Sequence, residues 1–341
     1  MELNFPIVID FVPKYDVNPG LEKRSIRRMD VAHLESDKVI ALAISQFENH
    51  ANMLTEYCMD LISGGKSPRT VVELEKAAYR EFESTTGANI LDFDELNFIT
   101  ASPLNAMYFA CHGRRRMAAY EYAGLLVGLL YYLSENSYYQ QIYDVQKETG
   151  LAADLWGVSQ ERDMPPDSSD AEELMQLADG LTETLFDGLK NVYETAIYTE
   201  SDTGVQFAVD NELDDMGFAV SRQAHTETTR IVNDSQSRAL ALMGISQYRY
   251  LTEQDALVCE FCRALNQKVF LTKDKATGIN YPPMHPNCRC QTMPVVTKEA
   301  VNFLKGQSSF LPYSYMTVPR DMGYERWLKE WEIALTEIMP E

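Results

Sequence analysis

Five side chains that ligate metals fall within 32 residues, as Cys259-x-x-Cys262, then 22 intervening residues, then His285-x-x-Cys288-x-Cys290. A C-x-x-C turn brings two sulfurs to one side of the chain, and a second group from a distant segment then completes a tetrahedron that suits Zn²⁺. Five candidates compete for four positions, so one is spare or sits behind the ligands. The two best sets are Cys259, Cys262 and Cys288 with either Cys290 or His285. Between the two halves the sequence fits a small β-loop: a strand at 268–272, a turn at 275–278 and a rigid entry at Pro282-Pro283. So short and sparsely apolar a piece needs a staple to stay folded. Structural metal, paired disulfides formed in an oxidising medium, and unlinked buried thiols are the three readings of the cluster.

Catalysis at this cluster is a poorer reading. A catalytic zinc keeps an open position and needs a nearby general base. The string His225-Thr-Glu227 matches the H-x-E of zinc deaminases by letter, but Cys259 follows Val258 rather than a proline. No phosphate-binding glycine loop and no G-x-S-x-G is present. No catalytic residue is therefore assigned, and the chain is expected not to be an enzyme. Cys58 and Cys111 lie in helical, partly apolar surroundings and read as small buried hydrophobes.

Charge narrows the partners. The net charge is −21, and residues 151–216 hold 17 acidic residues against Arg162 and Lys190 alone. Residues 221–300 are mildly basic, with ten Lys and Arg against seven Asp and Glu. The acidic middle would repel a phosphate backbone, so nucleic-acid binding by the whole chain is not expected. The longest apolar run, Ala123 to Leu133, is about half of the ~20 residues a membrane span needs, so a soluble protein with no membrane association is expected. Met1 to Pro6 lack the basic and apolar regions of a secretory signal.

Periodicity predicts a mainly α chain: a helical N-terminal region, long helices in the middle, and a small α+β Cys/His module near the C-terminus. Residues 1–30 read as an irregular arm whose Lys23–Arg28 stretch docks on something or packs loosely. A helical domain follows over 31–158. Its first helix carries Ile40, Ala43, Phe47, Ala51, Leu54, Cys58 and Leu61 inward and ends at Gly64-Gly65. A second, Thr70 to Phe82, carries Val71, Leu74, Ala78 and Phe82. Residues 84–104 connect it to a helix over 105–133 that Tyr138–Tyr143 continue or border. His112-Gly-Arg114-Arg115-Arg116 reads as a basic turn facing the acidic middle.

A Pro-containing acidic linker at 159–170 ends with Ser169 and Glu172 in a capping box. Long helices occupy 171–245, the first with Leu174, Leu177, Leu181, Leu185, Leu189, Val192 and Ala196 in one stripe. The second, 216–243, turns Ala224, Ile231, Ala239 and Leu242 inward and sets Glu227, Arg230, Asp234 and Arg238 in an intrahelical ion-pair ladder, with Gly244 as the cap. The Cys/His module is 246–296, and a helical tail with Trp327 and Trp331 spans 297–341.

One stretch resembles a known family. The string Arg222-Gln-Ala-His-Thr-Glu-Thr-Thr-Arg230-x-x-Asn233, then Cys259-Glu-Phe-Cys262-x-x-Leu265, then Pro282-Pro-Met-His-Pro-Asn-Cys-Arg-Cys290 is similar to the phage head morphogenesis family, the Mu F-like minor capsid proteins. In that family a helix bearing R-T-E precedes a C-x-x-C and a closing P-x-H-P-x-C-R-C. The closing string is the specific part, and the resemblance covers about 75 residues, 220–294. His225 stands where the family usually has Arg, and Asn266 where a Gly commonly follows the leucine. The resemblance implies a virion protein present in few copies, made in the host cytoplasm and bound at or near the portal. It implies a part in procapsid assembly and in genome packaging or delivery, with the portal protein as partner, the major capsid or scaffold protein as further contacts, and several copies around the portal. Mu F-like modules also occur joined to toxin or effector domains, so an effector enzyme is one alternative. A cellular zinc-binding adaptor is another.

Overall fold

A computed structural model describes residues 19–88, 102–150, 153–154, 168–253, 255–296, 301–302, 315–316, 318 and 321–330. They are mainly helical: α1 Pro19–Ser63, α2 Pro68–Thr86, α3 Pro103–Thr149, α4 Ser168–Thr199, α5 Val205–Leu242 and the short α6 Glu260–Leu265. Strand β1, Ala153–Asp154, pairs antiparallel with β5, Tyr315–Met316. A three-stranded antiparallel sheet has β2, Gln247–Leu251, between β3, Val269–Leu271, and β4, Gln291–Pro294. No described helix is long and apolar enough to cross a membrane. The chain divides into two compact units, neither continuous in sequence.

One unit comprises Asp37–Gly128 and Ser168–Arg222. Its part of α1 buries the whole expected stripe from Ile40 to Leu61. Helix α2 starts behind Ser67, whose hydroxyl accepts the Thr70 N–H, and stops at Gly87 in the left-handed region. Its inward face is not the expected one: Val71, Val72, Glu75 and Tyr79 are buried, and Leu74 is exposed. Charge causes the rotation. Glu75 takes the Arg114 guanidinium of α3 through Nε at 2.9–3.0 Å and Nη2 at 2.6 Å, and neither charge could stay buried alone.

The expected basic turn is therefore helix, with Arg114 turned inward and Arg115 paired to Asp179 and Glu183 of α4. On α4 the face also shifts. Leu177 is exposed, while Ala178, Thr182 and Tyr193 take inward places beside Leu174, Leu185, Leu189 and Ala196. The Tyr193 hydroxyl meets Thr55 Oγ1 at 2.9 Å and donates to the Ala51 carbonyl at 3.1 Å, so its polar tip is satisfied inside. Helix α4 begins at Ser168, which places Ser169 inside it rather than at its cap. Residues 159–167 of the expected linker lie outside the described residues.

The other unit comprises Met1–Ser36, Leu129–Asp167 and Gln223–Glu341. Residues 19–30, expected to be irregular, are the first turns of α1. Lys23–Arg28 is not a free docking arm. Arg28 is buried against Asp144 and Gln141 of α3, and Arg24 reaches Asp144 and Glu148 at 3.2 Å. Residues 1–18 lie outside the described residues. Tyr143, Tyr324 and Trp327 pack at 5.5–5.9 Å between ring centres, and Trp327 Nε1 donates to Gln146 at 3.0 Å. Of the expected C-terminal helix, residues 324–330 are helical, and Trp331 with the residues after it lies outside the described residues. Helix α5 starts 11 residues before the expected Met216 and ends at Gly244, whose φ of 68° lets the Ile245 N–H return to the Leu240 carbonyl at 2.9 Å.

A glycine test follows from the α2–α3 contact. A Cβ on Gly113 would lie 0.9 Å from the Tyr79 hydroxyl oxygen, whereas one on the exposed Gly124 meets nothing within 4 Å. In urea unfolding, Gly113→Ala is expected to lose about 1–3 kcal/mol through overpacking, and Gly124→Ala to gain about 1 kcal/mol from helix propensity. Equal effects of the two substitutions would contradict the close α2–α3 approach.

Candidate metal centre

Cys259 is the N-cap of α6, and its Sγ accepts the Cys262 N–H at 3.3 Å. That single turn is why the C-x-x-C sulfurs share a side. The His285 ring lies across them, with Nε2 3.3 Å from Cys259 Sγ and 3.5 Å from Cys262 Sγ. Its Nδ1 faces the Pro286 carbonyl at 2.9 Å. A carbonyl can only accept, so the proton belongs on Nδ1 and the Nε2 lone pair is left toward the sulfurs.

The five candidates form two triads that share one member. Cys259, Cys262 and His285 are one, and Cys262, Cys288 and Cys290 the other; within each, the ligand atoms lie within 4.8 Å of one another. Zinc–sulfur bonds of about 2.3 Å and zinc–nitrogen bonds of about 2.0 Å, set at a tetrahedral angle, separate S from N by about 3.5 Å. The two measured S···N distances fit that spacing. A cavity of about 30 Å³ opens among Cys259, Cys262, His285 and Cys290, with Asn287 and Arg289 at its edge. The Cys/His cluster can thus hold a metal.

Electrostatics favour a cation there. Burial opposes ionisation of Cys259, but hydrogen bonding, first from the Cys262 N–H, lowers its pKa. In the buried triad, hydrogen bonds from Cys262 and Cys290 lower Cys288, while Cys262 and Cys290 rise for want of a second stabilised charge. The three thiols hydrogen-bond one another through their own protons. An ion at Cys262 would replace those protons. Behind the sulfurs, the Tyr250 hydroxyl donates to Cys262 Sγ at 3.5 Å, and Tyr248 packs on Phe270 and Tyr281 at 5.4–5.7 Å.

Helix α5 carries the ligand loop. Asn287, at φ 61°, turns the chain between His285 and Cys288; its N–H donates to Thr226 Oγ1 at 2.7 Å and its Oδ1 meets His225 Nδ1 at 3.1 Å. Thr229 donates to the Cys288 carbonyl. Asn233 donates to the Cys290 carbonyl at 3.2 Å and accepts the Thr292 N–H at 2.8 Å. With its carboxamide nitrogen turned to the loop, Gln236 donates to the Thr292 carbonyl at 3.0 Å. The Tyr281 hydroxyl donates to the Asn233 carbonyl, and Lys275 reaches Ser237 at 3.1 Å.

The ladder residues divide their partners. Glu227 and Arg230 pair at 2.7 Å, whereas Asp234 reaches Lys275 at 3.5 Å and Arg238 donates to Ser134 at 2.8 Å beside the Tyr138 ring. Asn266 has φ −53° and therefore does not need to be glycine; its Oδ1 accepts the Thr252 N–H at 3.1 Å. Cys58 and Cys111 are buried within the other unit, and burial pushes the Cys58 thiol up to about 11. Thr226, Thr229 and Asn233 stand in the family-like string with no role assigned to them, and Tyr250 was not singled out. A run of hydrogen-bonding side chains on the inward face of α5 was the available signal.

Residues 206–293 match the family model described as Phage Mu protein F like protein, about a quarter of the chain. The matched segment runs from the start of α5 through the Cys/His cluster into β4. No curated protein and no solved structure matches the chain.

Because both triads meet at Cys262, Cys262→Ser is expected to remove bound zinc from the purified chain, while Cys58→Ser keeps it. Elemental analysis of the two variants checks this, and equal zinc in both would contradict the site.

Proposed function

We propose that this chain is a minor structural protein of a phage head, working without catalysis in procapsid assembly at or near the portal. In this reading Cys259, Cys262, His285 and one of Cys288 and Cys290 hold a structural zinc ion. A bound zinc would supply a cross-link between the α6 turn and the loop that precedes β4. The observation that carries the reading is the coincidence of the Mu F-like match with one structural piece: α5, the ligand loop strapped to it and the sheet behind. The supporting chemistry is a donor set supplied wholly by the protein, as in closed structural zinc sites. The acidic surface of α4 and early α5 suits a protein that shares a capsid interior with DNA without adhering to it.

Partners follow from the same reading. The portal protein is the main one, the major capsid or scaffold protein a further contact, and several copies sit around the portal. The protein is made in the host cytoplasm, enters the virion and assists genome packaging or delivery.

Co-expression of the full chain with the portal protein of the same phage tests this. The pair is expected to elute together at a fixed ratio in size-exclusion chromatography. Separate elution, together with arrest of host growth on expression of this chain alone, would overturn the reading in favour of an effector.

A further inference from the structure

Beyond the five ligand candidates, we infer that Thr229, Asn233 and Gln236 of α5 are positioning residues of the metal site, a step that rests on the zinc reading above. In the extended run from Cys288 to Thr292, alternate carbonyls point to one edge of the chain, and alternate side chains to one face. The Cys288, Cys290 and Thr292 carbonyls all turn to α5. Cys288 and Cys290, two residues apart, therefore present their sulfurs together toward Cys262.

Spacing makes the helix a template for this edge. Two residues of strand advance about 6.6 Å, and four residues of helix about 6 Å. Thr229 and Asn233, four residues apart, thus match Cys288 and Cys290; the longer Gln236 side chain reaches the next carbonyl. On its other edge β4 pairs with β2, with Tyr250 opposite Thr292 and Leu251 opposite Gln291. Helix side chains thus stand where a further strand would pair, and cover an edge that would otherwise be open.

This geometry acts on the ligands as well as on the fold. Hydrogen bonds to successive carbonyls fix the rotation of the 288–292 peptide planes, and that rotation sets where both sulfurs point. Thr226 fixes the preceding turn through the Asn287 N–H. Ligand-orienting groups of this kind change metal affinity by about 10–100-fold when removed. Coupling is also reciprocal: if α5 sets the metal site, an ion bound there steadies α5.

Cobalt(II) in the zinc-depleted full chain is the probe, with affinity read by chelator competition and ligation by the thiolate-to-cobalt charge-transfer band. Thr229→Val and Asn233→Leu are expected to weaken binding about 10–100-fold and to change the band, with Thr229→Ser close to wild type. Thr228→Val is the control, because the Thr228 hydroxyl is buried with no hydrogen-bond partner among the described residues; it is expected to bind as wild type does. In the unsubstituted chain, cobalt is expected to slow amide exchange over 229–236, a readout that needs no variant to fold. Wild-type affinity and spectrum in both variants, or unchanged exchange in that helix on loading, overturns the template while leaving the metal site standing. A wild-type chain that shows no thiolate band overturns the zinc reading, and the template with it.

Discussion

The small sheet between Gln247 and Pro294 depends on something beyond its own apolar mass. Its strands have five, three and four residues, and its one helix has six. Three of the buried residues in its core are the thiols Cys262, Cys288 and Cys290, set among Tyr248, Tyr250, Phe270 and Tyr281. Sulfur is apolar enough to be buried, but three thiols in contact gain little over Ala or Val. A bound ion would turn the same crowding into cross-links between segments far apart in sequence. Short strands of this kind are marginal alone, so a cross-link among those sulfurs would supply support that the sheet lacks.

Support comes from outside the sheet as well. The open edge of β4 and the loop before it are held by a row of polar side chains on α5, an unusual use of a helix interior. Thr229 and Asn233 are both fully buried, and a buried polar group left unpaired would cost about 1–3 kcal/mol. Each is paired to a loop backbone group, so the helix and the ligand loop satisfy one another. Buried polar pairing recurs elsewhere: Arg28 with Asp144 in one unit, Glu75 with Arg114 in the other. Each fixes the rotation of a helix more strictly than an apolar stripe can.

Those pairs also explain what the sequence could and could not disclose. The Cys/His spacing, the strand expected at 268–272 and seen at 269–271, the Gly244 cap and the α1 stripe were legible, because each rests on local spacing or on a plain 3.6-residue period. The inward faces of α2 and α4 were not. Hydrophobic counting put Leu74 and Leu177 inside, whereas a carboxylate at Glu75 and hydroxyls at Thr182 and Tyr193 occupy those faces. Partners distant in the chain decide such positions. Lys23–Arg28 looked like an arm for the same reason, since Asp144 lies more than a hundred residues away. At the metal centre the ligand types were readable, but the role of Thr229 and Asn233 required knowing that the loop lies against α5.

The account stands or falls on one zinc ion held by Cys259, Cys262, His285 and one of Cys288 and Cys290. X-ray absorption at the zinc edge of the purified full chain tests it most directly. A mixed shell of sulfur at about 2.3 Å and nitrogen at about 2.0 Å is the predicted result. A shell of light atoms alone, or sulfur–sulfur bonds at about 2.05 Å with no zinc, would contradict it.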